Sequence, residues 1–150
     1  MNLSSEILDK RAQHMGYAGL LPPAVFVAAV LVDPSLRWIM LAAGFGYAAF
    51  IFSFLGGIWW GLAMGRPHLP SWIWIAAVAP SLICLALFMP WTFGWKWPIP
   101  AMRILGALIL FSPFVDRAIV YSTSISSDWM RLRIGLSIGL AALIIALSML

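Results

Sequence analysis

Asp116 and Arg117 stand in the stretch "FSPFVDRAIVY", with apolar residues on both sides, and Arg131 and Arg133 follow one short loop later. Ionisable groups within an apolar run are costly in hydrocarbon, so they pair with one another or serve a proton or substrate pathway. Asp116 with Arg133 is the pair that this order of residues offers. Both fall within about two turns of one predicted membrane edge, where a long side chain can also snorkel to water. Two uses stay open: a structural ion pair tying the fourth span to the fifth, and a relay.

The other reactive residue types offer less. His14 and His68 lie outside the apolar spans, so with Met15 and Met64 they make at most a surface metal site. No two histidines face each other at mid-membrane to hold a haem. Cys84 is a small apolar filler in mid-span, and one cysteine forms no disulfide within the chain. No phosphate loop, nucleophile elbow or HExxH pattern occurs. The expectation is a protein with no catalytic residues, no metal and no cofactor, with lipids bound around it.

These residues need elements to position them, and composition says in which solvent. The 150-residue chain is 63% apolar and 9% charged, whereas soluble domains carry about a quarter charged residues. A chain of this size cannot hide so much apolar surface from water, so its solvent is the bilayer. The net charge of +4 is scattered between apolar runs with no basic stripe, which argues against a nucleic-acid partner.

One all-α domain of five spans is expected: about 16–32, 36–65, 71–89, 100–121 and 128–150, after a short interfacial segment at 1–15 that Ser4 or Ser5 would cap. Lys10 and Arg11 precede an apolar stretch, but Pro22 and Pro23 interrupt it and no small-x-small cleavage site follows. It therefore reads as a first span rather than a signal peptide. With the N-terminus inside, six basic residues (Lys10, Arg11, Arg66, Arg117, Arg131, Arg133) face three outside (Arg37, Lys96, Arg103), which favours N-inside and C-outside. Tryptophans gather at the predicted edges, among them Trp38, Trp59, Trp60, Trp72 and Trp74, as an interfacial belt would have them. Pro80 and Pro113 predict kinks or freed carbonyls within their helices.

The second span carries the strongest packing signal. Ala49, Ser53, Gly57, Gly61 and Gly65 recur every four residues, and Gly56 widens the row. On a helix that spacing makes one smooth stripe, which lets another backbone, of this chain or a partner, approach closely. Gly135 and Gly139 form a counterpart in the fifth span, beside Ser137 and Ala141.

The motif "YAAFIFSFLGGIWWGLAM" resembles the signature of the DUF3429 family, small membrane proteins similar to transmembrane protein 69 of mitochondria. "GYAGLLPPAV", the Asp116-Arg117 pair and the "RLR" of Arg131 to Arg133 are similar to that family too, so the resemblance covers most of the chain. Trp59 departs from the polar or basic residue that the resemblance leads one to expect there. The resemblance implies a five-helix inner-membrane protein and supplies no reaction, substrate or site residue.

The functional expectation is a non-catalytic accessory subunit that docks to a larger, energy-transducing membrane complex through its Gly/Ala faces. The bacterial inner membrane is the expected location, with the mitochondrial inner membrane as the alternative. The competing reading is a small-molecule or lipid carrier whose groove lies between the second, fourth and fifth spans, lined by Ser53, Trp60, Asp116 and Arg133, with Arg117 nearby.

Overall fold

Backbone that crosses hydrocarbon must satisfy its own N–H and C=O groups, and a helix does so within one segment. A computed structural model of the chain describes residues 10–64, 70–95, 98–120 and 127–150, and its described residues form helices and turns with no strand. The elements are α1 (Lys10–Ala18), α2 (Leu21–Val32), a 3-10 turn (Pro34–Leu36), α3 (Arg37–Met64), α4 (Trp72–Thr92), α5 (Ile99–Val120) and α6 (Ser127–Leu147). Among the described residues, five helical stretches are long and apolar enough to cross a membrane: Lys10–Val32, Pro34–Met64, Trp72–Thr92, Ile99–Ile119 and Asp128–Leu147. Gly65 and the cap expected at Ser4 or Ser5 lie outside the described residues.

The first span is two helices rather than one. Pro22 and Pro23 open α2 at positions where a missing N–H costs least, and the chain turns through Gly19 and Leu20 to reach them. Pro23 has no N–H to give the Gly19 carbonyl four residues back, and the Tyr47 hydroxyl of α3 donates to that carbonyl instead. At the far end, Asp33 caps the 3-10 turn by accepting from the Ser35 N–H at 2.9 Å. Its hydrogen bonds with Ser35 hold that carboxyl below the usual carboxylate range.

α3 is the central helix and packs on α2, α4, α5 and α6, while α5 and α6 form the other intimate pair. Leu41, Phe45, Phe52, Leu105, Ile109 and Ile144 are buried between them. Two glycines set the close approaches. A Cβ at Gly56 would intrude on the Ala77 carbonyl oxygen of α4 and lie 3.2 Å from Pro80 Cγ. A Cβ at Gly106 would lie 3.0 Å from Ile145 Cγ1 and 3.6 Å from the Ala141 carbonyl oxygen of α6.

The small-residue row of α3 is thus divided. Ala49 is buried and Gly56 is in contact, but Gly57 and Gly61 are exposed, and a Cβ at either would meet no neighbour within 4 Å among the described residues. Among the described residues, no helix of this chain is the backbone neighbour expected for those two glycines; the close intrachain contact falls on Gly56, about 100° around the helix from Gly57. On α6, Gly135 and Gly139 face the first span: added Cβ atoms would lie 3.0 Å from the Tyr17 hydroxyl and 2.7 Å from Leu20 Cδ1.

Candidate functional site

Residues four apart on a helix share a face. Ser112 and Asp116 on α5, and Arg133 and Ser137 on α6, are two such pairs, and the packing of α5 on α6 turns them toward each other. Arg133 Nε lies 2.9 Å from Asp116 Oδ2, a contact of charge without the alignment of a hydrogen bond. The two ends of the guanidinium complete the set: Nη1 donates to Ser137 Oγ at 2.8 Å and Nη2 to Ser112 Oγ at 3.0 Å. From α3, the Trp59 indole N–H donates to Asp116 Oδ1 at 2.7 Å. Asp116 is fully enclosed, and Trp59, Ser112 and Ser137 are buried with it.

Local chemistry explains Ser112. Pro113 leaves the Ile109 carbonyl without its helical donor, and the Ser112 hydroxyl donates to that oxygen at 2.7 Å. One side chain therefore mends the break in α5 and holds one end of Arg133.

The result is a charge-neutral clasp through three helices. It sits below the face at which α3 ends, α4 begins, α5 ends and α6 begins. At 1.5 Å per residue Asp116 lies about 6 Å, and Arg133 about 9 Å, inside the nearer ends of their helices.

Two larger recesses flank α3, besides one of about 200 Å³ between α3, α4 and α5 that Trp59 and Ser112 help to line. One, of about 370 Å³, lies where the first span breaks, between that break, α3 and α6. Its wall is apolar except for Arg133 and Ser137, with Gly16, Leu55, Ile58 and Leu136 among the rest. The other, of about 410 Å³, lies between α3 and α4 and takes in Gly46, Ala49, Ser53, Cys84, Phe88 and Trp91.

The expected groove lined by Ser53, Trp60, Asp116 and Arg133 is not a single place. Ser53 belongs to the α3–α4 recess, Asp116 is sealed behind Arg133, and Arg133 opens to the recess on the other side of α3. Trp60 is 44% exposed and meets Trp74 edge-on at 5.1 Å; its neighbour Trp59, 3% exposed, is the tryptophan of the clasp. Arg117 is exposed on α5. The sequence reading missed Trp59 as a partner and Ser112 altogether, although Ser112 stands four residues before Asp116, the spacing that shares a face.

The surface metal reading finds no cluster. His14, Met15 and Met64 are exposed, His68 lies outside the described residues, and no three His, Cys, Asp or Glu converge among the described residues. Cys84 is buried, with its thiol 3.5 Å from the Ala49 carbonyl.

The family profile described as "Protein of unknown function (DUF3429)" matches residues 8–150, so the chain belongs to that family. No curated protein matches it, and no solved structure does.

Proposed function

We propose that this DUF3429 protein is a non-catalytic integral subunit that docks to a larger membrane assembly through the outward face of α3. The observation that carries the proposal is the open side of that helix. Gly46, Gly57 and Gly61 present bare backbone, with space where each Cβ would stand. With 3.6 residues per turn they fall within roughly 60° of arc, and Ser53 lies beside it, about 20° beyond Gly46. Small residues let helices approach closely in lipid, where van der Waals contact and hydroxyl hydrogen bonds replace the hydrophobic effect as glue. A second feature suits the same occupant. The α3–α4 recess opens beside this face, so it can take large side chains of a helix laid against the glycines.

The partner is a transmembrane helix of a different integral protein that brings small residues of its own. An energy-transducing complex of the bacterial inner membrane is the host this reading favours, with the N-terminus inside and the C-terminus outside. Lipids cover the remaining apolar surface.

The test is extraction of tagged protein in mild detergent. An integral partner should co-isolate in fixed stoichiometry, and the paired substitution Gly57→Leu with Gly61→Leu should abolish that association while the subunit stays folded. A clean monomer from native membranes, or a self-dimer abolished by the same substitutions, would overturn the proposal.

A further inference from the structure

The recess at the break of the first span lies roughly 100° around α3 from the proposed docking face, with Phe54 on its edge toward Gly57 and Gly61, and nothing in the fold requires it to be empty. At about 370 Å³ it falls within the range of small-ligand sites, roughly 300–1,000 Å³. Met15 and Phe54, at its rim, are 76% and 64% exposed, so the recess communicates sideways with the surroundings of the bundle. Its polarity is confined to one spot. Arg133 and Ser137 stand together there, and the rest of the wall is aliphatic, aromatic or glycine.

The chemistry of that spot is specific. Each terminal guanidinium nitrogen carries two N–H donors, and the contacts to Ser137 and Ser112 engage one on each. The Ser137 oxygen accepts from Arg133, and because the Ser112 proton goes to the Ile109 carbonyl, the Ser137 hydroxyl is the donor in its contact with Ser112 Oγ, a long 3.4 Å bond that a ligand oxygen can replace. The spot is rich in donors, yet Asp116 directly behind cancels its charge. An anionic head would lose its hydration and find no net positive charge in return, which is unfavourable for a buried ion. A zwitterionic lipid head would have to leave the interface as well, because Arg133 lies about 9 Å inside α6. An uncharged oxygen acceptor suffers neither loss.

We propose that this recess binds an uncharged amphiphile, with a carbonyl oxygen hydrogen-bonded at Arg133 and Ser137 and the apolar body lying against Leu55, Ile58 and Leu136. A quinone ring and an acyl ester both supply that chemistry.

Trp129, which also lines the recess, provides the readout. Purified full-length protein in detergent is titrated with a monoacylglycerol brominated along its chain, and tryptophan quenching is recorded. Quenching should saturate, and the saturable part should vanish in Trp129→Phe. Ile58→Trp, which fills the recess from α3, should block quenching of Trp129, as judged by comparison with Ile58→Trp/Trp129→Phe. Ser137→Ala should weaken binding by about tenfold, the scale of one lost buried hydrogen bond. Unbrominated monoacylglycerol and a decyl-substituted quinone should both compete, and the stronger of the two tells ester from ring carbonyl. Oleate should compete at least about tenfold more weakly. Quenching that rises without saturation, or that is unchanged in Trp129→Phe, would overturn the proposal, as would oleate competing as well as the neutral glyceride.

Discussion

Asp116 and Arg133 are each costly alone in a low-dielectric interior and tolerable together, so the clasp makes a sharp demand on single substitutions. Asp116→Leu leaves a guanidinium buried, and Arg133→Met leaves a carboxylate with only the Trp59 indole beside it. Breaking a buried pair by removing one partner costs about 3–5 kcal/mol, whereas replacing both with apolar residues is often close to neutral. The expected outcome, read by thermal unfolding in detergent, is that each single variant is strongly destabilised and the double variant recovers most of the loss. A double variant as unstable as the worse single would show that the pair is not a self-contained clasp. Trp59→Phe keeps most of the ring and removes one hydrogen bond to a charged acceptor, so a loss of about 1.5–3 kcal/mol is expected in the same assay. The Asp116–Arg133 pairing was legible in the sequence because an apolar run makes ionised residues conspicuous. The tryptophan partner was not: Trp59 and Trp60 are adjacent and chemically identical, and only the packing of α3 decides which one turns inward.

At the scale of the element, hydropathy locates helices in a membrane protein but does not orient them. α3 is apolar all round, and so is the lipid, so no amphipathic period separates the inner face from the outer. The spacing of small residues was therefore readable as a stripe, while its phase was not. Gly56 and Gly57 are neighbours in sequence, yet the first meets the α4 backbone and the second meets open space. The two positions predict opposite responses. Gly56→Ala pushes a methyl into the Ala77 carbonyl and should destabilise the bundle by about 1–3 kcal/mol, the range for overpacking. Gly57→Ala meets nothing within 4 Å and should be neutral, or stabilising by up to about 1 kcal/mol through helix propensity. Unfolding of the isolated subunit measures both, and equal effects would refute the assigned phase. The prolines follow a related logic. Their positions announce freed carbonyls, but the donors that answer them, Tyr47 for Gly19 and Ser112 for Ile109, become visible only when the helices are assembled. Ser112→Ala removes the proline's repair and one end of the Arg133 cradle together, so it should cost about 1–3 kcal/mol.

For the whole molecule, the clasp bears on orientation. The faces alternate with the spans, so Lys10, the start of α4 and the end of α5 share one side, and Ser35 lies on the other. Counted from sequence alone, six basic residues stand against three; but Arg133 is drawn into the bundle and neutralised by Asp116, so it adds nothing to the charge outside the bilayer. The working bias is then Lys10, Arg11, Arg66, Arg117 and Arg131 against Arg37, Lys96 and Arg103. Basic residues flanking spans are retained on the cytoplasmic side, and the first span usually dominates. N-inside orientation should therefore survive, but with a narrow margin that rests on Lys10 and Arg11. Cys84 is the single cysteine, so a Cys84→Ala background allows Ser35→Cys and Ser71→Cys to be tested one at a time, both at exposed positions. In intact cells a membrane-impermeant maleimide should label the Ser35→Cys variant at once, and the Ser71→Cys variant only after permeabilisation. Replacing Lys10 and Arg11 with alanine leaves three basic residues on each side and should give a mixed population in which both sites label in part. The reverse labelling order in the parent background would overturn the N-inside assignment, and an unchanged pattern after the double replacement would show that the first span does not set it.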